Sequence, residues 1–172
     1  MEQSTPSSAE PNPRSSATIG GHPLHPMLVP FPIVSFIGAL VTDVMFLTTS
    51  ESGWATASNW LLGIGLSTAL LAAAAGMADY LGDDRVRRIG AATRHMIANV
   101  IVVTLEVVNL IVRLAGGTEP IAMLGVWLSL ASVASLAYSG WLGGELVYRH
   151  RVGVRGPEDE VTGDDKLSRD RR

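Results

Sequence analysis

Gly21-His22-Pro23-Leu24-His25-Pro26 leads directly into the first of four long apolar runs, and these runs decide the fold. The runs cover about residues 27–48, 57–81, 95–115 and 121–148. A helix of ~20 apolar residues crosses the hydrocarbon core of a bilayer. Because the connections between the runs are short, the sequence predicts an all-α fold, a transmembrane up-down-up-down four-helix bundle in contact with the lipid bilayer.

The charged residues are segregated from the apolar runs. Of the 172 residues only 17% are charged, and they crowd into the first 15 positions, the stretch 83–94 and the residues after Arg149. We therefore expect a membrane domain at residues 19–150 between two disordered tails, residues 1–18 and 151–172. No nucleic-acid partner is expected. The absence of cysteine excludes disulfides, thiolate metal sites and cysteine-ligated iron–sulfur clusters.

The arginines near the ends of the runs predict the orientation in the membrane. One side of the predicted bundle carries both termini and eight arginines, Arg14, Arg85, Arg87, Arg88, Arg94, Arg149, Arg151 and Arg155. The other side has only Arg113. Basic residues favour the cytoplasmic side. The sequence thus predicts a multi-pass protein of a bacterial inner membrane with cytoplasmic N- and C-termini.

This topology gathers the histidines at one end of the bundle. All four histidines and two carboxylates fall at the predicted cytoplasmic end: His22, His25, Asp79, His95, Glu145 and His150. Ionisable groups in or near the membrane are costly to bury, so such a group is a candidate functional site.

A polar stripe follows the third run. His95, Asn99, Val102, Glu106, Asn109 and Arg113 are spaced by 4, 3, 4, 3 and 4 residues, which places them on one helix face. The stripe is interpreted either as a polar zipper that fixes helix register or as a proton path from Glu106 to the histidines. Asp43 follows His25 by 18 residues, and Arg113 follows His95 by 18. If His25 and His95 lie at the same depth in the membrane, Asp43 and Arg113 also lie at the same depth. The spacing therefore predicts an ion pair between Asp43 and Arg113.

Three motifs resemble a known family. They are Gly-His-Pro-Leu-His-Pro-Met-Leu-Val-Pro-Phe-Pro at 21–32, Asp79-Tyr80 together with His95 and Asn99, and Gly-Trp-Leu-Gly-Gly-Glu-Leu-Val-Tyr at 140–148. Over about residues 19–155 the chain resembles the bacterial membrane family labelled domain of unknown function 2231. The resemblance implies kinship with two-haem four-helix membrane cytochromes and hence electron transfer, with His22, His25 and His95 as motif histidines. Some relatives are fused to Rieske-type domains; this sequence shows no such segment, so the resemblance implies that any iron–sulfur partner would be a separate redox protein.

Three readings of the histidine cluster stay open. In the first, a b-type haem is bound between His25 and His95, with His22 and His150 as a second ligand pair. In the second, non-haem iron or zinc is bound by His22, His25 and His95 with Asp79 or Glu145. In the third, the same groups only lock the helices together. Whether the protein is an enzyme or a homo-oligomer is also left open.

Overall fold

The computed structural model describes residues 11–154 and residue 156, and most of this part is helical. A short hairpin of β1 (Thr18–Ile19) and β2 (His22–Pro23) comes first, with Thr18 opposite Pro23 and Ile19 opposite His22. The helices that follow are α1 (Leu24–Leu28), α2 (Pro30–Thr49), α3 (Ser52–Gly82), α4 (Asp84–Arg88), α5 (Gly90–Gly116) and α6 (Val126–Gly144). Two π-helical turns, Ile121–Gly125 and Glu145–Arg149, extend α6 at either end.

Four helical stretches are long and apolar enough to cross a membrane: Leu24–Thr49, Ser52–Gly82, Gly90–Gly116 and Ile121–Arg149. They pack as an antiparallel bundle in which α2 contacts α3 and α6, and α5 contacts α6 and α3. The prediction of an all-α transmembrane four-helix bundle is confirmed. We call the end that holds Leu24, Gly82, Gly90 and Arg149 the terminal end, and the opposite one the loop end.

The ends of the helices follow local chemistry. Pro30 occupies the first position of α2, where its missing N–H deprives the helix of nothing. Ser50 ends α2 with a φ of 59°, and Gly117 ends α5 with a φ of 68°. Asp83 caps the short helix α4 by accepting a 2.9 Å hydrogen bond from the backbone N–H of Arg85. Each span is longer than its apolar run because polar residues at the ends remain helical.

An apolar layer fills the middle of the bundle. It consists of Phe36, Ala39, Leu62, Leu66, Ala69 and Val102, contributed by α2, α3 and α5. Phe36 packs directly on Gly65, where an added Cβ would lie 2.5 Å from the ring. Close helix approach at small residues is the usual packing of membrane helices. The polar groups of the protein are consequently divided between the terminal end and the loop end.

The two predicted tails fall mostly on residues 1–10 and 157–172, which lie outside the described part of the chain. The residues next to them make defined contacts at the terminal end. Pro13 accepts a 2.9 Å hydrogen bond from the backbone N–H of Gly153. Asn12 donates through its side-chain amide to the carbonyl of Val154 at 3.1 Å. Residues 11–17, which we call the N-terminal strap, thus lie beside the segment that follows α6.

Candidate functional site

His25, in α1, is fixed by the backbone of α3. Its Nδ1 lies 2.8 Å from the carbonyl oxygen of Ala72. A carbonyl can only accept, so Nδ1 carries the hydrogen and donates it. In the neutral ring Nε2 is then a free lone-pair acceptor. One turn further along α3, a Cβ on Gly76 would lie 2.8 Å from Nδ1, so glycine leaves the room that the imidazole occupies.

His95, in α5, is held in the same way by α6. Its Nδ1 lies 2.9 Å from the carbonyl oxygen of Ser139 and 3.0 Å from the hydroxyl of the same residue. A Cβ on Gly143 would lie 3.3 Å from the ring. Asn99, one turn along α5, donates from Nδ2 to His95 Nε2 at 3.1 Å and to the His95 carbonyl at 2.9 Å. This ring, too, is in the Nδ1–H tautomer.

The two imidazoles lie edge to face at the terminal end of the bundle. Their ring centres are 6.0 Å apart and their planes are nearly perpendicular, at 89°. Both side chains are half-buried. Of the histidine pairs that the sequence suggested, the structure brings His25 and His95 together. The two histidines come from different helices, α1 and α5. Because a carbonyl of α3 fixes the first and a carbonyl of α6 fixes the second, all four spans contribute to one site.

The other candidate ligands lie elsewhere. His22 is exposed in the hairpin. His150 Nε2 is 3.8 Å from Glu145 Oε1, and the same carboxylate oxygen pairs with Arg149 at 3.4 Å. Within residues 11–154 the structure forms no group of three or more histidines and carboxylates that could hold a metal ion. The proposed set of His22, His25, His95, Asp79 and Glu145 therefore does not meet at one point.

Asp79 binds the N-terminal strap. Its Oδ1 accepts hydrogen bonds from Ser15 Oγ at 2.8 Å and from the backbone N–H groups of Ser16 and Ala17 at 2.8 and 2.9 Å. These three donors account for the position of the carboxylate without a metal. Asp79 thus ties the chain that precedes the hairpin to the end of α3.

Asp83 and Arg85 continue this attachment just outside the spans. Arg85 donates to both carboxylate oxygens of Asp83, at 3.1 and 2.8 Å. The hydrogen bond and charge of Arg85, together with the backbone N–H groups of Arg85 and Arg14, lower the pKa of Asp83 to about 2. Arg85 also donates to the carbonyls of Pro11 and Asn12. The strap is consequently held by charged groups as well as by Asp79.

A second polar cluster lies near the loop end. Arg113 donates from Nη1 and Nη2 to the two oxygens of Asp43, at 2.6 Å each, and both side chains are fully buried. The ion pair predicted from the equal spacing is confirmed. Ser58 and Ser129 complete the shell by donating to Asp43 at 2.6 and 2.8 Å. Asn109 accepts from Arg113 Nε at 2.8 Å.

Serines and glycines in this cluster carry no distinctive sequence signal. Ser58 and Ser129 look like ordinary small residues of membrane helices, yet each contacts the buried carboxylate. Gly125, in the π-helical turn, also has a defined role, because it leaves room for the guanidinium: a Cβ there would lie 3.0 Å from Arg113 Nη2. These serines and this glycine could have been found from the sequence by asking which small residues lie at the same depth as the predicted ion pair.

Glu106 ends this cluster on the side of the apolar layer. Its Oε2 accepts a 2.9 Å hydrogen bond from Asn109 Nδ2. Both Glu106 and Ser132 are fully buried and adjacent, and among the described residues neither Glu106 Oε1 nor Ser132 Oγ forms a hydrogen bond of good geometry. Val102, the next stripe residue toward His95, belongs to the apolar layer. The polar stripe is therefore two separate clusters, and the described residues form no continuous hydrogen-bonded path from Glu106 to His95.

Comparison with known proteins supports the membrane fold. A family model described as "Predicted membrane protein (DUF2231)" matches residues 21–156. No curated protein and no solved structure matches the chain. The matched range contains His25, His95, Asp43 and Arg113, so both polar clusters lie within the family domain.

Proposed function

This chain belongs to the DUF2231 family of predicted membrane proteins, and we propose that it binds a b-type haem between His25 and His95 and transfers electrons at the membrane. One observation carries the proposal. Each imidazole donates its Nδ1–H to a backbone carbonyl, Ala72 for His25 and Ser139 for His95. A second hydrogen bond of this kind fixes the tautomer of metal-bound histidines and makes Nε2 a better ligand.

The number of ligands favours haem over a non-haem ion. Zinc sites use three or four protein ligands, and non-haem iron sites use at least three. Haem iron is already bound by the porphyrin and takes its axial ligands from the protein. Two facing histidines, with no third histidine or carboxylate beside them in the described chain, match the haem requirement.

The separation of the rings also fits. Imidazole nitrogen lies ~2.0–2.1 Å from a bound metal such as zinc, so two imidazoles that held one iron between them would have ring centres roughly 6 Å apart. The observed separation is 6.0 Å. Bound haem supplies a one-electron couple. The chain would orient both rings through the carbonyls of Ala72 and Ser139, and Asn99 would have to release Nε2 of His95.

A second function is favoured by that Asn99 contact. Because Asn99 already donates to Nε2 of His95, the two histidines also form a complete interhelical lock without any cofactor. In this alternative, His25 ties α1 to α3 and His95 ties α5 to α6. The site would then be structural, and its removal would change stability alone.

We further propose that the terminal end faces the cytoplasm of a bacterial cell, with electrons exchanged there with a separate redox protein. The support is the distribution of basic residues. Arg85, Arg87, Arg88, Arg94 and Arg149 lie at or near this end, whereas Arg113 is buried in its ion pair. Basic residues are retained on the cytoplasmic side during insertion.

The experiment is a visible spectrum of the full-length protein purified from membranes, oxidised and then reduced with dithionite. A Soret band with a sharp α-band in the reduced state is expected. His25→Ala and His95→Ala should each abolish these bands, while His22→Ala, which changes an exposed imidazole outside the pair, should leave them intact. A colourless wild-type protein would overturn the haem proposal. The lock then predicts that His25→Ala and His95→Ala lower the thermal stability of that colourless protein and that His22→Ala does not.

A further inference from the structure

A lateral groove runs between α5 and α6 on the outside of the bundle. Arg94, Ile97, Ala98 and Ile101 form one wall, and Ala134 and Tyr138 stand on the other. The groove has a volume of about 450 Å³. Apart from the buried Ala98, these side chains are exposed in the isolated bundle. In a membrane the groove therefore opens sideways into the lipid.

The groove is polar at one end and apolar along the rest. Arg94 and Tyr138 lie at the same depth, because their chain neighbours His95 and Ser139 are hydrogen-bonded to each other. Ile97 and Ile101 follow one and two turns deeper on the same face of α5. The distance along the helix from Arg94 to Ile101 is ~10 Å. A cation thus stands at the mouth of an apolar channel.

The depth of Arg94 is that of the lipid headgroups. The 27 residues of α5 give a helix ~40 Å long at ~1.5 Å per residue. The hydrocarbon core is ~30 Å thick, so each end of α5 extends roughly 5 Å into the headgroup region. Arg94 is the fifth residue of α5, which places its Cα at this boundary and its long side chain within reach of a phosphate.

The positive charge of Arg94 is not neutralised by a carboxylate of the described chain. Its Nε donates to the carbonyl of Gly90 at 3.3 Å, and among the described residues it has no carboxylate partner. Arg85, Arg87 and Arg149 at the same end are instead paired with Asp83, Asp84 and Glu145. A guanidinium without a carboxylate binds phosphate oxygens strongly, since its N–H groups can donate in pairs.

We propose that this groove binds one anionic phospholipid, with the phosphate on Arg94 and an acyl chain along Ile97 and Ile101. The combination of a cation at headgroup depth and an apolar channel below it matches the two parts of such a molecule. A neutral apolar ligand such as a quinone would use the channel but would not need Arg94. The proposal is independent of haem binding, because the groove lies outside the bundle.

The test is lipid binding to the purified full-length protein in detergent, followed by native mass spectrometry. Phosphatidylglycerol and phosphatidylcholine with the same acyl chains are the two probes. We expect one phosphatidylglycerol to be retained and phosphatidylcholine to be lost. Arg94→Ala should weaken phosphatidylglycerol binding about fivefold, which corresponds to the ~1 kcal/mol typical of one basic residue at an anionic membrane surface.

Two further variants control the result. Arg88→Ala removes the same charge from an exposed position outside the groove and should leave binding unchanged. Ala134→Phe fills the channel from a lipid-facing position, so the protein should fold and bind less lipid. Equal loss in the Arg88 and Arg94 variants, unchanged binding in Ala134→Phe, or equal retention of both lipids would overturn the proposal. A dimer that Ala134→Phe dissociates would assign the groove to a second copy of the chain instead.

Discussion

Asp43 and Arg113, 70 residues apart in the chain, meet through two parallel hydrogen bonds of 2.6 Å in the buried interior of the bundle. The paired geometry matches the fork of the guanidinium to the two carboxylate oxygens. Because α2 and α5 carry the partners, one contact fixes the relative depth of two helices. The buried ion pair also allows the effects of mutations near the loop end on stability to be ranked.

Removing the charge of Asp43 should destabilise the bundle strongly. Asp43→Asn leaves Arg113 buried with its charge uncompensated, and breaking such a pair costs about 3–5 kcal/mol. The measurement is the free energy of unfolding in detergent, for example by SDS titration. Asp84→Asn is the control, since Asp84 pairs with Arg87 at the surface and should change stability by less than about 1 kcal/mol. Equal effects of the two variants would contradict the assignment.

Replacing both partners should be milder than replacing one. In Asp43→Leu with Arg113→Met the buried charges disappear together, and apolar replacement of a buried pair is often neutral. The unfolding free energies of both single variants and the double variant then give the coupling energy between the two sites. Additive effects would mean that the contact contributes nothing specific to stability.

Glu106 should behave differently from Asp43. It accepts one hydrogen bond from Asn109, and its other oxygen lies beside Ser132 Oγ without a hydrogen bond of good geometry to any described residue. In Glu106→Gln the side-chain oxygen can still accept from Asn109, and the new amide can donate to Ser132. We therefore expect a stability within about 1 kcal/mol of wild type, well above that of Asp43→Asn in the same assay. A loss as large as that of Asp43→Asn would indicate that the carboxylate of Glu106 neutralises a charge in the folded bundle.

Glycines that touch the polar clusters should not tolerate a methyl group. A Cβ at Gly125 would lie 3.0 Å from Arg113 Nη2, and one at Gly76 would lie 2.8 Å from His25 Nδ1. Gly76→Ala and Gly125→Ala should each destabilise by about 1–3 kcal/mol through overpacking. Gly63→Ala is the matched control, because nothing lies within 4 Å of its Cβ and alanine favours the helix. The predicted order fails if Gly63→Ala is as harmful as the other two.

The attachment of the N-terminal strap should weaken in acid. The pKa of Asp83 is lowered from 3.8 to about 2 by Arg85, so the carboxylate is stabilised in the folded protein. Its contribution is complete above pH ~4 and is lost as the pH falls toward about 2. Hydrogen exchange at Arg14 and Arg85, compared at pH 5 and pH 2.5 after correction for intrinsic rates, should show the loss. Asp83→Asn should show rapid exchange at both values, and a pH response that persists in this variant would exclude Asp83 as its cause.

Helix number and helix depth were predictable from the sequence because they depend on length and spacing. Four apolar runs predicted four spans, and two intervals of 18 residues predicted the contact between Asp43 and Arg113. The position of a side chain around its helix was harder to predict. Asp79 and Glu145 were assigned to the correct end of the bundle, yet Asp79 binds the N-terminal strap and Glu145 faces Arg149 and His150.

The partners of the histidines were not predictable for a related reason. Both rings are held by backbone carbonyls, and every residue of a helix has one. Only the packing of α1 against α3 and of α5 against α6 selects Ala72 and Ser139. Gly76 and Gly143 carried the clue, since each lies one turn beyond the residue whose carbonyl accepts. Without the fold, these glycines are indistinguishable from others in the same helices.

The apolar layer around Phe36, Leu66 and Val102 has an electrical consequence. Apolar side chains dominate it, and none of its residues carries a charge, so it acts as an insulator between the two polar ends of the bundle. In an energised membrane much of the voltage drop falls across such a low-dielectric layer. A proton or electron that reaches His25 and His95 from the terminal end does not cross this layer. Under the proposed haem function, electron transfer at the histidines should therefore be nearly independent of membrane voltage.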